Sequence, residues 1–200
     1  MHELTHWKDC QEILAAYHKQ NPLHAGIKSA ELRQKLCKGM DRASADALIA
    51  ILHQEGKLRR QSDRFCLSDF TVTLTKRQRG IREKLMQVYS TSGIETPITE
   101  HIMEGFPSNE RPEARQVLES LITSGDLLLL TPQICLYRKD YDRVLEIAKD
   151  HFETSDSLTL AQLRDLLNTS RKYAQAIIEY FDKIHITRKD EDIHYLDQGF

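Results

Sequence analysis

The chain has no excess of basic charge, no paired cysteines, no long apolar run and no phosphate-binding loop, and each absence removes a class of function. Its 28 Lys and Arg against 30 Asp and Glu give a formal net charge of -2. With a pI near 6.5, it lacks the global field of a polycation that coats nucleic acid indiscriminately. Cys10, Cys37, Cys66 and Cys135 are widely scattered, without a Cys-x-x-Cys pair. They read as isolated small hydrophobes in a reducing compartment, not as a disulfide or zinc framework. No apolar run approaches the roughly 18 residues needed to span a bilayer. The start shows no basic region followed by an apolar core, so no signal peptide and no membrane partner are expected, and the cytoplasm is the default location. Neither Gly-x-x-x-x-Gly-Lys-Ser/Thr nor a nucleophile elbow occurs, so no catalysis and no cofactor site are expected in this chain.

What is present is repetition. Leu52…Gly56-Lys-Leu58…Phe65-Cys-Leu67 has a counterpart in Leu121…Gly125-Asp-Leu127…Ile134-Cys-Leu136. A third copy, Phe181…His185-Ile-Thr187…Ile193-His-Tyr-Leu196, keeps the spacing with His185 in the glycine's place. A left-handed glycine at a helix end releases the chain into a strand, which explains Gly56 and Gly125. Upstream of each copy a second helix is expected, with Ser29, Thr99 and Thr159 as N-caps. Before those, the apolar faces Ile13-Leu14-Tyr17, Ile81-Leu85-Val88-Tyr89 and Val144-Ile147-Ala148-Phe152 mark a first helix. The expected fold is mostly α with small β-hairpins (α+β), as three tandem winged-helix domains over residues 1–72, 73–139 and 140–200. Leu52, Leu121 and Phe181 should be buried. Units of this size have small cores and should lean on one another.

His2-Glu-Leu-Thr-His6 matches a zinc-protease pattern literally, but only Met1 precedes it in this sequence, and short patterns arise by chance. His18, His24, His53, His101 and His151 show no ligand spacing and are expected at the surface or half-buried. The basic clusters Lys57-Leu-Arg-Arg60 with Arg64, and Lys76-Arg-Gln-Arg79 with Arg82 and Lys84, read as solvated faces. The third cluster is smaller but better placed. In the helix–break–helix pattern of residues 160–182, Ser170, Arg171 and Lys172 open the second helix, and Arg188-Lys189 lie in the hairpin beyond it. A helix N-terminus carries free N–H groups and a positive dipole end, and a winged helix presents this tip and its wing to a phosphate backbone. The last 61 residues are nevertheless the most acidic, with 8 Lys and Arg against 13 Asp and Glu. Sharply localised contacts in a weak general field suit a reader of one RNA structure.

The segment Leu163-Arg-Asp-Leu-Leu…Ser170-Arg-Lys-Tyr-Ala…Glu179-Tyr-Phe-Asp182…Thr187-Arg188 resembles the last module of the bacterial selenocysteine-specific translation elongation factor. The resemblance is strongest over residues 158–196, looser in the second module and architectural in the first. It implies a C-terminal arm of winged helices whose final module grips the selenocysteine insertion hairpin of mRNA beside a UGA codon. The RNA contacts it implies are Ser170, Arg171, Lys172 and Tyr173 on the helix, and Arg188 and Lys189 on the wing. GTP with Mg, and selenocysteyl-tRNA, would belong to missing domains of the parent protein, and the ribosome would be a partner of the whole factor. Two positions depart from the family: His185 stands where it has glycine before the first wing strand, and Glu191 where a wing-turn glycine is usual. The competing readings are a tandem winged-helix DNA-binding regulator and a protein–protein scaffold. Under the first reading, the final module alone, from residue 137 on, should bind the hairpin almost as tightly as the whole chain.

Overall fold

The computed structural model describes residues 2–61 and 63–200, with side chains from His6 onward. One order of elements recurs three times. The first pass runs α1 (His2–Gln20), β1 (Ile27–Lys28), α2 (Ser29–Leu36), α3 (Arg42–Gln54), β2 (Leu58–Gln61) and β3 (Arg64–Leu67). The second is α4 (Lys76–Ser92), α5 (Thr99–Glu104), α6 (Arg111–Ser124), β4 (Leu127–Thr131) and β5 (Ile134–Tyr137). The third is α7 (Arg138–Thr154), β6 (Ser157–Thr159), α8 (Leu160–Leu167), α9 (Arg171–Lys183), β7 (Thr187–Asp190) and β8 (Ile193–Leu196). This is the expected mixture of helices and small antiparallel hairpins, with Leu52, Leu121 and Phe181 buried at 2%, 2% and 0% exposure. The short strands β1 and β6 were not legible; each adds an outer strand, giving the orders β1-β3-β2 and β6-β8-β7, whereas β4 and β5 pair alone.

The helix ends show how the repeat works. Gly56 and Gly125 adopt φ of 71° and 83°. After Gly56 the Lys57 N–H donates to the Leu52 carbonyl, and after His185 the Ile186 N–H donates to Phe181 in the same way. These bonds satisfy carbonyls that the helix leaves free and turn the chain into the hairpin. His185 and Glu191, the two departures from glycine, keep the left-handed backbone, with φ of 62° and 54°. The geometry is retained against the Cβ penalty.

Of the three expected N-caps only Thr159 serves, in a capping box with Gln162. Ser29 and Thr99 instead start their helices one residue after the cap. Each uses both its N–H and its hydroxyl to grip one carbonyl in the hairpin turn. Ser29 meets Asp63 at 2.8 and 2.7 Å, and Thr99 meets Gln133 at 2.9 and 3.2 Å. A side chain that can cap locally is drawn off by a tertiary acceptor.

The chain compacts into two units, Met1–Arg79 and Gly80–Phe200. In the first, Leu14, Ile27, Leu32, Ala45, Leu52 and Leu58 form the core. Cys10, Cys66 and Cys135 are buried free thiols, and burial pushes Cys10 up to about 11. The His2–His6 motif lies in the first turns of α1, where the side chains of residues 2–5 fall outside the described residues. No group of three metal-binding side chains occurs among the described residues. None of the helices described is long and apolar enough to cross a membrane.

In the second unit, Leu130, Ile134 and Leu136 of the β4–β5 hairpin share one apolar cluster with Val144, Leu158, Leu163, Ile177 and Phe181. β5 ends at Tyr137 and α7 starts at Arg138, with no linker between them. The border expected near residue 139 therefore runs through continuous packing, and the division near residue 73 lies a few residues ahead of the one at Arg79.

Two outcomes follow from these backbones and packings. Glycine at residue 185 or 191 should stabilise the second unit by roughly 0.5–1 kcal/mol, whereas Gly56→Ala or Gly125→Ala should cost about 1 kcal/mol or more. Urea unfolding measures both. His18, expected at the surface or half-buried, is only 7% exposed and stacks on Phe70, with centroids 3.5 Å apart. Burial lowers its pKa, opposed by Asp69. Below about pH 6.5 the unfolded chain takes up a proton that the folded chain resists. Stability of the first unit should therefore fall between pH 7 and 5. His18→Phe should flatten that fall, and an unchanged pH profile would rule His18 out as its source.

Candidate nucleic-acid interface

Helix α9 is apolar on one side and polar on the other. Ala174, Ala176, Ile177, Ile178 and Phe181 are buried, while Arg171, Lys172, Gln175 and Glu179 are exposed. Arg171, Gln175 and Glu179 are spaced four apart and form a ridge along the exposed face. The Gln175 amide donates to the Glu179 carboxylate at 2.8 Å. On one flank of this ridge lies a cleft of about 500 Å³ bounded by α8 and the wing. Arg164, Arg171 and Lys189 enter it together with Glu179 and Asp192. On the other flank a cleft of about 450 Å³ lies against the β4–β5 hairpin, lined by Thr131, Arg171 and Lys172. Arg171 therefore borders both.

The wing is braced from below. The Asp182 carboxylate, near the end of α9, accepts from the Thr187 hydroxyl at 2.6 Å and pairs with His194 Nδ1 at 3.0 Å. His194 is buried at 4% exposure and sits opposite Lys189 in the β7–β8 register. Alternation along a strand puts Lys189 on the cleft side with His194 and sends Arg188 to the opposite face. There Arg188 pairs in register with Tyr195 and lies 5.3 Å over its ring.

The structure thus brings Arg171 together with Lys189 in one cleft and with Lys172 in the other, and parts Arg188 from Lys189. It also gives Ser170 and Tyr173 partners that no sequence pattern indicated. The Glu95 carboxylate accepts from the Ser170 N–H at 2.6 Å and from the Thr169 hydroxyl at 2.9 Å. An anion is thus already seated at the start of α9, where the free N–H groups favour one. The Ser170 side chain makes no capping bond. The Tyr173 hydroxyl donates to the Thr96 carbonyl, and the Thr96 hydroxyl donates to the Cys135 carbonyl at 2.8 Å. Tyr173 is half-buried against the shared core, and Lys172 Nζ lies 5.2 Å from its ring. Burial first, then Glu95, raises the Tyr173 phenol above its ordinary value. Arg164 and Asp192, which the sequence pattern did not assign to the site, complete the wing cleft. Arg164 carries no separate signal because its charge is shared with Asp165 at 2.7 Å.

The acids that make this region negative are partly spent. Asp140 is 3% exposed and pairs with Arg143, and Asp142 meets Arg138 at 2.9 Å. Asp140 therefore does not belong with the solvated acids of α7.

Two family models described as "Elongation factor SelB, winged helix" match the chain, its third winged-helix domain over residues 150–196 and its second over residues 11–65. The chain belongs to the SelB winged-helix family. It is 26% identical over 183 residues to the selenocysteine-specific elongation factor of Desulfomicrobium baculatum. To that of Escherichia coli (strain K12) it is 25% identical over 188 residues. Each alignment covers 92% of this chain but only 29% and 30% of the relative's length. Among solved structures, the mRNA-binding domain of SelB from E. coli, in complex with SECIS RNA, matches with a TM-score of 0.53 at 22% identity. That match covers 62% of this chain and 99% of the other, and is a likeness of fold.

The Glu95 contact has a measurable signature. The Ser170 N–H, then the Thr169 hydroxyl, hold the Glu95 carboxyl below its ordinary value. Its bonds to the α9 tip should be intact above the ordinary glutamate pKa and be lost as pH falls through the depressed one. The Ser170 amide resonance should follow that titration and become insensitive to it in Glu95→Gln. Titration at the ordinary glutamate value would refute the contact.

Proposed function

We propose that this chain is the RNA-gripping arm of a selenocysteine-specific elongation factor. In this reading its last winged helix binds the selenocysteine insertion hairpin of an mRNA and tethers the factor at UGA during translation. The supporting observation is Arg171 at the exposed end of α9, flanked by Lys189 of the wing in one cleft and by Lys172 in the other, in a unit otherwise rich in acid. Their contacts are electrostatic and local, so phosphates beside a splayed or bulged base are the matching target. Ser170 and Tyr173 hold the tip in place through Glu95 and Thr96. Arg188, on the other face of the wing, would meet a different stretch of the same RNA. The modules at 1–72 and 73–139 act as spacer and support for the module at 140–200. GTP with its Mg ion and selenocysteyl-tRNA fall to the rest of the parent factor. The ribosome is a partner of the assembled factor in the cytoplasm, and this arm is not itself an enzyme.

A DNA-reading regulator is disfavoured by α9 itself. Base readout in a major groove needs several polar side chains along the recognition helix. Here Gln175 and Glu179 are the polar residues that continue the ridge behind Arg171, and they bond to each other.

The decisive experiment is a salt titration of binding to a bulged hairpin and to a fully paired control. Arg171→Ala should cost roughly 1–3 kcal/mol on the hairpin and flatten the salt slope by slightly less than one unit. Truncation should be made at residue 80, not 137, because residues 80–200 compact together. Equal affinity for both RNAs, or wild-type binding by Arg171→Ala, means that the tip is not the site.

A further inference from the structure

The first unit carries 14 Lys and Arg against 9 Asp and Glu, whereas the second carries 14 against 21. The positive charge of this near-neutral chain is therefore concentrated in the unit that lacks the α9 tip. Within it, four of the nine acids are engaged by near neighbours. Glu31 pairs with Lys35 at 3.6 Å, Asp46 with Arg33 at 2.5 Å and Glu55 with Lys57 at 2.7 Å. Asp41 caps α3 through Ser44.

The β1-β3-β2 sheet gathers cations that escape this pairing. Lys28 lies opposite Arg64, Arg64 opposite Gln61, and Arg59 opposite Cys66. Residues in register, and residues two apart, share a face, so Lys28, Arg59, Gln61 and Arg64 point the same way. The opposite face carries Ile27, Leu58 and Phe65 into the core. Neighbouring strands are ~4.8 Å apart, which places the three charges within one short stretch of surface. Both arginines are held in place by backbone carbonyls. Arg59 donates to Phe70 at 2.6 Å and Arg64 to Gly26 at 3.0 Å. Among the described residues neither meets a carboxylate, and Lys28 forms no ion pair. A carbonyl fixes a guanidinium without neutralising it and leaves other donors of its fork free.

We infer that this sheet face is a second, sequence-independent RNA contact of the chain, binding the phosphate backbone through Lys28, Arg59 and Arg64. It is an extended, oriented cationic surface, so it follows a backbone and does not read bases. RNA is chosen over an acidic protein because arginine forks held apart on a sheet match separated phosphates, and no apolar patch accompanies them to anchor a protein partner. The face works independently of the α9 tip.

The test uses the full chain, wild type and an Arg171→Ala/Lys189→Ala background that silences the tip. The probe is an unstructured oligouridylate of about twenty nucleotides, titrated with salt. Both proteins should bind it, with a slope of about 2 from three phosphate contacts at about 0.7 each. Lys28→Gln, an exposed change that removes no hydrogen bond seen here, should lower the slope by about 0.7. The triple change to Gln at residues 28, 59 and 64 should weaken binding about tenfold or more at low salt. If the triple variant unfolds, Lys28→Gln alone decides. Binding unaffected by Lys28→Gln, or absent in the tip-silenced background, overturns the inference. Poly-glutamate binding with the same dependence on Lys28 overturns it in favour of an acidic protein. The bulged hairpin's dependence on Arg171 is scored separately, so either proposal can fail alone.

Discussion

Burial of one side of α9 is the constraint from which the second unit's surface follows. Phe181 and Ile177 are fully enclosed, Ile178 nearly so, and the helix lies between its own wing and the β4–β5 hairpin. Emptying a site of that kind costs about 3–5 kcal/mol for a phenylalanine, so the helix cannot rotate to offer another face. What remains outside is the ridge of Arg171, Gln175 and Glu179, with a cleft on either flank. The tip is free because everything behind it is held.

That holding comes from further along the chain than a winged helix alone would require. Glu95 and Thr96, in the loop ahead of α5, reach the start of α9 across more than 70 residues of sequence. Thr96 is in turn tied to β5. The carboxylate at the helix start satisfies an N–H that would otherwise await a ligand, and it places a negative charge next to the cations of the tip. With that N–H occupied, the positive character of the α9 start rests on the side chains of Arg171 and Lys172, not on the helix terminus. The wing is supported differently, by the Asp182–Thr187–His194 group, and Lys189, in register with His194, faces the cleft.

The two units solve the same folding problem with opposite surfaces. In the first, acids pair among the helices and leave the sheet positive. In the second, an equal number of cations is outnumbered by acids, and Arg171 and Lys172 stand together at one helix end. A near-neutral chain thus hides a charge separation that its overall balance of 28 against 30 conceals, and salt-sensitive binding depends on local density, not on that balance.

Much of the fold was legible because it rests on local rules. The spacing from Gly56, Gly125 and His185 specified where helices stop and hairpins begin, since a left-handed residue there is required whatever its side chain. Apolar periodicity marked Leu14, Leu85, Val144 and the α9 face as core. Arg171 and Lys172 at a helix start, and the capping role of Thr159, could be read from their immediate neighbours. Tertiary structure alone decided the rest. Strands β1 and β6 are too short to carry a pattern and exist only because a hairpin offers them an edge. Ser29 and Thr99 left their caps because a closer acceptor stood in the hairpin turn. The parting of Arg188 from Lys189, the joint core of residues 80–200 and the seating of Glu95 on Ser170 depend on which surfaces meet, and contacts between residues distant in sequence leave no periodic trace in it.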